Sequence, residues 1–453
     1  MNAIIDGSPS LAQELRTALE RGEDDLLSKL VAAHPAQDIA LALGELPRQH
    51  WHTLFERLGH ERAAEVYAHL PTEHQTELLQ NLDHDQASRL IGELSYDDAA
   101  AVLDELQDEH AEAILDALPE DDQQVLNSLL AYPEESAGRI MTPEFATVQP
   151  EWTVAEALDH LRERSEIAET VNTIFAVTPK GQLLGWLRLK ELLLSRPTVR
   201  VQAILHTDIV SIEAHEDQEE AARRISHYDL DVLPVVDEWG AILGIITVDD
   251  VLDIIRDETT EDFHRMAAVA NLPLSLRDAS LQMLYRKRIG WLVILVVVNI
   301  LSGTAITFFE ASIEAVVALV FFLPMVIASG GNAGAQASTL MVRALATGDI
   351  QASDWLRMGL KEILVAASLG LALAAAIWLT GNWLGTLQVA NAIAIAMFLV
   401  VMFGSLFGMT LPFLLTRLKL DPATASAPLI TSVVDVVGIV IYFGVATAIL
   451  QLG

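Results

Sequence analysis

Thr431–Phe443, with the sequence TSVVDVVGIVIYF, is an apolar stretch interrupted by one carboxylate, Asp435. It belongs to the last of five long apolar segments, and Asp435 is the only ionisable residue in the midst of them. At a helical rise of ~1.5 Å per residue, Asp435 lies near the middle of a bilayer. A carboxylate at that depth costs several kcal/mol unless water or a cation compensates it. The stretch therefore predicts a membrane protein with a cation site at Asp435.

Composition divides the chain near Tyr285 into an acidic half and an apolar half. Residues 1–285 hold 20 of the 28 Lys and Arg and 55 of the 62 Asp and Glu, a net charge of −35. This charge argues against nucleic acid as a partner and favours cations. The chain contains no Cys, which excludes disulfides and thiolate metal sites. No basic region followed by an apolar core opens the chain, so no cleavable signal is predicted.

The basic residues of the apolar half predict its topology. Five spans are expected, at about 289–309, 315–342, 360–381, 387–416 and 424–450, each long enough to cross ~30 Å of hydrocarbon. The eight basic residues all fall on the side that carries the acidic half: Arg286, Lys287, Arg288, Arg343, Arg357, Lys361, Arg417 and Lys419. The positive-inside rule makes that side cytoplasmic and places the C-terminus outside. We expect a multi-pass protein of the plasma membrane, with lipid around its spans.

A 12-residue repeat runs eight times from Pro35 to Leu130. Leucine closes every unit: Leu46, Leu58, Leu70, Leu82, Leu94, Leu106, Leu118 and Leu130. Unit starts favour Pro, Gly, Asp and Ser, which are turn or capping residues. The pattern predicts a stacked array of short helices, each about two turns long.

A second, longer repeat covers about 138–258. GQLLGWLRLKELL (Gly181–Leu193) aligns with GAILGIITVDDVL (Gly240–Leu252) at an offset of 59. Each unit is predicted to run strand, helix, strand, glycine turn, strand, helix. The tandem pattern, with MTPEFATV and LPVVD, resembles paired CBS domains, regulatory modules that often bind adenine nucleotides. By that resemblance Thr247 and Asp250 would hold the ribose of ATP, while the first unit carries Arg188 and Glu191 there.

Two membrane segments extend the resemblance to almost the whole chain. Residues 321–350, FFLPMVIASGGNAGAQASTLMVRALATGDI, and 418–443, LKLDPATASAPLITSVVDVVGIVIYF, resemble the MgtE family of magnesium channels and transporters. The family layout implies an all-α helical-repeat domain (1–134), two α/β CBS units (135–200 and 201–260), a connecting helix (261–285) and an all-α membrane domain of five helices (286–453). It implies a transporter of Mg²⁺ and not an enzyme.

The resemblance also implies where magnesium passes. MgtE proteins are homodimers, so Asp435 of each subunit would face the other across a central pore. Magnesium prefers one or two carboxylates with retained water, which suits such a pair. Ala427 and Thr431 lie one or two turns before Asp435 and could face the same axis. Pro324 is expected to break its helix, so that irregular backbone over 330–334 presents Asn332 and Gln336 to the pathway.

Closure by cytosolic Mg²⁺ is the regulation that the family implies. The acids that would sense the ion are Asp97, Asp98, Asp217, Glu219, Asp229, Asp250, Asp253, Glu258, Glu261, Asp262 and Asp421. Without counterions their like charges repel one another. Bound Mg²⁺ would draw them together and press the connecting helix, from about Glu261 to Tyr285, against the pore.

Two other functions remain open from the sequence. The first is a carrier for Mn²⁺ or Co²⁺ that alternates access; five spans are hard to halve into inverted repeats, which weighs against it. The second is a membrane-anchored nucleotide or ion sensor that transports nothing, and Asp435 weighs against that. An enzyme has little support, because the sequence contains no HExxH or GxSxG motif.

Overall fold

The computed structural model describes residues 10–164, 168–270, 279–384 and 386–451. The chain forms two compact units, Met1–Asp257 and Glu258–Gly453. Both the helical-repeat and CBS patterns lie in the first unit, and the apolar half lies in the second.

The first unit begins with an array of short helices. Their bounds are α1 (Leu11–Arg21), α2 (Asp24–Ala33), α3 (Ala36–Glu45), α4 (Trp51–Leu58), α5 (His60–Ala68), α6 (Thr72–Gln80), α7 (His84–Ile91), α8 (Tyr96–Asp104), α9 (Asp108–Asp116) and α10 (Glu120–Leu130). The 12-residue repeat is confirmed, because successive helices from α3 onward follow it, α4 being preceded by a 3₁₀ turn over Arg48–His50. The closing leucines are buried or packed against one continuous core, which no single two-turn helix could form alone.

Two three-stranded sheets follow, one in each CBS unit. The first unit holds β1 (Phe145–Val148), α11 (Val154–Arg164), β2 (Thr170–Val177), β3 (Leu183–Arg188) and α12 (Leu189–Leu194). The second holds β4 (Ile212–Glu213), α13 (Gln218–Tyr228), β5 (Val232–Val236), β6 (Ile242–Thr247) and α14 (Val248–Met266). In each sheet the middle strand pairs parallel with the first and antiparallel with the third. The predicted order of elements is confirmed.

The two CBS units meet through their glycine turns. Gly181 and Gly240 both have positive φ, 82° and 76°, which a residue without a β-carbon adopts freely. The Leu183 amide donates to the Gly240 carbonyl at 2.9 Å, and the Ile242 amide donates to the Gly181 carbonyl at 3.0 Å. A small apolar cluster around Phe175 fills the space behind these turns. The internal repeat therefore becomes a pseudo-symmetric pair.

The second unit is built from long apolar helices. They are α15 (Leu281–Thr307), the short α16 (Glu310–Ala315), α17 (Ala318–Ala346), α18 (Trp355–Leu384), α19 (Leu387–Arg417) and α20 (Ala427–Leu450). Within the described residues, five helices are long and apolar enough to span a bilayer, as predicted. Their core lies where α17, α19 and α20 pack together.

The predicted single connecting helix over 261–285 is wrong. Helix α14 ends at Met266, and Ala268 takes a left-handed conformation with φ 54°. Residues 271–278 lie outside the described residues, and α15 begins only at Leu281. A residue in the left-handed conformation interrupts a right-handed helix, so α14 does not continue through residues 267–270.

The expected break at Pro324 is also wrong. Helix α17 runs without interruption through Pro324 and through the glycine-rich segment 330–334. The glycines have a different role: a β-carbon at Gly334 would lie 2.8 Å from the Gly404 carbonyl oxygen. A β-carbon on Gly404 or Gly408 would in turn collide with the α17 backbone. We call these four residues, Gly330, Gly334, Gly404 and Gly408, the glycine seam between α17 and α19.

Replacing Gly404 by Ala should destabilise the membrane unit by about 1–3 kcal/mol, since the added methyl has no space in the glycine seam. Gly444→Ala on α20 is the matched control, because a β-carbon there meets no other group within 4 Å. Unfolding of both variants in detergent measures the difference. Equal stability of the two variants would contradict the close backbone contact.

Candidate cation sites

Asp435 lies on α20, and the helix places two of the predicted residues on its face. Ala427, Thr431 and Asp435 are spaced by four residues, so they share one side of the helix. All three are partly exposed. The Thr431 hydroxyl donates to the Pro428 carbonyl at 3.0 Å. Asp435 has no hydrogen bond or ion pair with any described residue, so its charge is uncompensated by the described part of the chain.

Helix α17 contributes a polar face beside α20. Gly331 packs against Thr431, since a β-carbon at Gly331 would lie 3.1 Å from the Thr431 methyl. The next residue, Asn332, is exposed, and Gln336 one turn later is exposed as well. Neither side chain bonds to Asp435 within the described residues. The structure therefore brings α17 to the Asp435 helix and leaves both amides directed away from the packed core.

Another carboxylate, Glu362 on α18, lies near the start of the third predicted span and was missed by the sequence interpretation. The buried Ser405 hydroxyl on α19 donates to its Oε1 at 2.5 Å. Ser405 follows Gly404 of the glycine seam, so this bond ties α18 to the packed core. Unlike Asp435, Glu362 accepts a hydrogen bond from a neighbouring helix, so its presence in the membrane unit is explained by structure alone.

In the first unit, acids from α8 and α14 face one another. We call Asp97, Asp98, Glu169, Asp249, Asp250 and Asp253 the first acid cluster. Burial, and then the Asp98 charge, raises the pKa of Asp97 to about 7. Burial, and then the Asp250 charge, raises the pKa of Asp98 to about 6. One oxygen of Asp97 is buried without a hydrogen bond. These carboxylates repel one another.

Two acids of the first CBS unit were not found by the sequence interpretation. The pKa of Glu169 is raised by burial and then by the charges of Asp250 and Glu144. The pKa of Glu144 is itself raised by burial and by Asp122. Both residues lie far from α8 and α14 in the sequence, so no spacing could have indicated that they meet.

The second unit contains another group of acids. We call Glu258, Glu261, Asp262 and Asp421 the second acid cluster. Burial, and then the charges of Asp421 and Glu258, raises the pKa of Asp262 to about 6. Arg265 pairs with both Glu261 and Asp421. The other oxygen of Asp421 accepts the Ala423 amide at 2.7 Å, which fixes the turn before α20. Arg265 was not among the predicted residues.

Two predicted sensing acids, Asp217 and Asp229, have local structural roles. Asp217 caps α13 by accepting the Glu219 amide at 2.8 Å. Asp229 ends the same helix in a left-handed conformation with φ 51°. Asp217, Glu219 and Asp229 as sensors stay a prediction.

No three His, Asp or Glu side chains among the described residues are arranged closely enough to hold a metal ion. The donor chemistry of both acid clusters nevertheless fits a hard cation, because Mg²⁺ takes carboxylate oxygens and retains water. A divalent ion would have to draw the carboxylates closer.

The nucleotide candidates Thr247 and Asp250 lie side by side. The buried Thr247 hydroxyl is 2.5 Å from Asp250 Oδ2 and 2.5 Å from Asp249 Oδ1. In the first CBS unit, Glu191 at the equivalent position accepts the Arg188 amide at 3.0 Å and contacts His206 Nε2 at 2.8 Å. The two units therefore differ at the turn where a ribose would bind.

Comparison with known proteins finds family models for the helical array, both CBS units and most of the apolar half. A family model described as "Divalent cation transporter" matches residues 323–445, "MgtE intracellular N domain" matches 34–135, and "CBS domain" matches 137–196 and 201–257. The "Magnesium transporter MgtE" of Thermus thermophilus is 38% identical over 97% of this chain and 99% of its own length. The protein of that name from Bacillus subtilis is 34% identical over 73% of each chain.

Two solved structures resemble the soluble region. The cytosolic domain of the Mg²⁺ channel MgtE in complex with ATP is 37% identical, with a TM-score of 0.52 over 54% of this chain and 99% of that one. The soluble part of a magnesium transporter is 26% identical, with a TM-score of 0.51 over 55% of this chain and 98% of that one.

Replacing Asp97 by Asn should flatten the pH dependence of stability in metal-free buffer. The pKa of Asp97 is about 7 in the folded chain, against an ordinary value of 3.8 in the unfolded chain. The contribution of Asp97 to folding stability is therefore greatest below pH 3.8 and is lost as the pH rises to about 7. Between pH 4 and 7, wild type should lose on the order of 1–3 kcal/mol more unfolding free energy than the variant. Urea unfolding in EDTA at each pH measures this.

The exposed acid Asp108 at the start of α9 provides the control, since Asp108→Asn should keep the wild-type profile. Identical profiles for wild type and Asp97→Asn would show that Asp97 is not held in a destabilising environment.

Proposed function

The chain belongs to the MgtE family, whose relatives are named magnesium transporters, and we propose that it is a Mg²⁺-selective channel or transporter that mediates magnesium uptake and is closed by cytosolic Mg²⁺. The observation that carries the proposal is Asp435, a carboxylate within a membrane helix that no described residue compensates. A hydrated Mg²⁺ supplies the missing charge without requiring a complete protein cage.

Two copies of the chain would complete the pore. Helix α15 has no fully buried residue, so its apolar surface must be covered by lipid or by another subunit. In the first unit, Leu193 and Leu194 of α12 and Leu252 of α14 are 62%, 77% and 62% exposed. A partner subunit that covered these leucines would remove their apolar surface from water. In a homodimer, Asp435 would meet Asp435 of the partner subunit, and Ala427, Thr431 and Asn332 would line the approach.

The acid clusters would supply the regulation. Each brings carboxylates into a poorly solvated environment, where their mutual repulsion is strong. A divalent cation binds best when these carboxylates approach one another, so a rise in cytosolic Mg²⁺ would favour that conformation. The acids proposed to take part are those of both clusters together with Asp217, Glu219 and Asp229.

A direct route leads from the second acid cluster to the proposed pore. Asp421 fixes the turn that precedes α20, and the buried Ser338 hydroxyl of α17 donates to the Ala425 carbonyl in that turn at 3.0 Å. The same helix α20 carries Asp435. Movement of Asp421 on ion binding would therefore be transmitted to the start of the pore helix.

ATP is proposed to bind at Thr247 and Asp250. The proposal is supported by the adjacent positions of the two side chains and by the ATP in the complex of the MgtE cytosolic domain. The protein is a multi-pass membrane protein, and we propose that its N-terminus is cytoplasmic and its C-terminus lies outside.

Asp435→Ala should reduce Mg²⁺ flux into proteoliposomes at least about tenfold, because it removes the charge that compensates the ion in the membrane. Glu310→Gln is the matched control, since it neutralises an exposed acid of the same unit. Undiminished flux in Asp435→Ala would exclude Asp435 as the ion site. Absence of flux in wild type would favour the non-transporting sensor, and flux of Mn²⁺ or Co²⁺ in preference to Mg²⁺ would favour the alternative cargo.

Neutralising Asp98 and Asp250 together should keep the protein conducting at a Mg²⁺ concentration that closes wild type. The two acids face one another in the first acid cluster, so their loss removes ligands through which Mg²⁺ would favour the closed conformation. The same vesicles, with Mg²⁺ set on the cytosolic face, measure the concentration for half-closure. An Asp108→Asn/Glu109→Gln control should close like wild type; closure of the Asp98/Asp250 variant at the wild-type concentration would oppose the gating proposal.

A further inference from the structure

Arg265 is the cation at the centre of the second acid cluster. Its guanidinium contacts Oδ2 of Asp421 through one terminal nitrogen and Oε1 of Glu261 through the other. Glu261 and Asp421 are 20% and 28% exposed at their side chains, and Arg265 is 39% exposed. The pair contacts are therefore partly shielded from solvent.

The position of Arg265 is fixed by the packing of Met266, the next residue, as well as by its own ion pairs. Met266 packs against Val342, Ala423 and Ala425, which form a small apolar cluster beneath the Asp421 turn. Glu261 lies one helical turn before Arg265 on α14. Removal of the guanidinium would thus leave the end of α14 attached through Met266 while freeing two carboxylates.

A guanidinium and a magnesium ion make opposite demands on these carboxylates. Arginine is permanently charged and presents several N–H donors in a rigid fork, which suits carboxylates lying on either side of it. Magnesium needs oxygen atoms on a small octahedron about 2.0–2.1 Å from the ion. The same oxygens cannot serve both cations, and no described group of three acids now has metal geometry.

We propose that Arg265 is a tethered counter-cation that competes with the regulatory divalent ion for Asp421 and Glu261, and that it thereby sets the ion concentration at which the second acid cluster is occupied. The inference rests on the proposed function, because it takes the second acid cluster as a binding site for Mg²⁺. Arg265 acts here as a positioning residue. At low Mg²⁺ it holds the two acids, and at high Mg²⁺ the ion displaces it.

The test is the Mg²⁺ dependence of thermal unfolding of the full chain in detergent. To reduce the contributions of the first acid cluster and of Asp435, the measurements are made in an Asp97→Asn/Asp98→Asn/Asp435→Ala background. Arg265→Gln should lower the Mg²⁺ concentration for half-maximal stabilisation by about fivefold, the scale of one partly exposed ion pair. Arg265→Lys keeps the charge but loses the forked N–H donors of the guanidinium. Its Mg²⁺ midpoint should therefore fall between that of Arg265→Gln and that of the protein with Arg265 intact.

The control Arg286→Gln removes an exposed positive charge from the same unit. Its Mg²⁺ concentration for half-maximal stabilisation should equal that of the background protein with Arg265 intact. An unchanged or raised midpoint in Arg265→Gln overturns the competition and leaves the gating proposal intact. Absence of any Mg²⁺ stabilisation in the background protein with Arg265 intact overturns the competition and removes the second acid cluster from the gating proposal. If Arg265→Gln does not fold, the Arg265→Lys midpoint decides: a lowered value supports the competition, and an equal value overturns it.

Discussion

A carboxylate removed from water requires a counter-charge, and this constraint governs both units of the protein. Asp435 within a membrane helix and Asp97 beside Asp98 in the soluble unit are left without one by the described residues. At the second acid cluster, Arg265 supplies part of this counter-charge. Oxygen ligands with unsatisfied negative charge favour a hard divalent cation at each location. Transport and regulation can therefore rest on the same chemistry.

Backbone packing determines where the membrane carboxylates lie. The glycine seam lets α17 and α19 approach so closely that an added β-carbon on either helix would collide with the other helix. Gly331 brings α17 against Thr431 of α20. Helix α20 is thereby held in register with Asp435 on a partly exposed face. In lipid, where apolar burial between helices gains little, such close contact is an important source of stability. The small residues of this unit serve packing, and Asp435 is the residue that we propose binds the ion.

Sequence patterns predicted most of the fold because their periods are set locally. The 12-residue leucine repeat, the CBS repeat at an offset of 59 and the five apolar spans correspond directly to the elements observed. Two local interpretations failed for physical reasons. Pro324 was expected to break α17, but the helix continues through it. One helix was expected over 261–285, but α14 ends at Met266 and Ala268 takes a left-handed conformation, which a right-handed helix cannot include.

The sequence alone determined that Asp435 lies within a long apolar span and that the soluble half is strongly acidic, because both follow directly from the order and charge of the residues. Only the tertiary structure decided which acids meet. Glu169 joins Asp250 across the fold, and Arg265 reaches Asp421 from a position 156 residues away. Electrostatic coupling depends on distance in space, and a one-dimensional pattern carries no such distance between remote segments. The counter-cation of the second cluster was therefore visible only once the chain was folded.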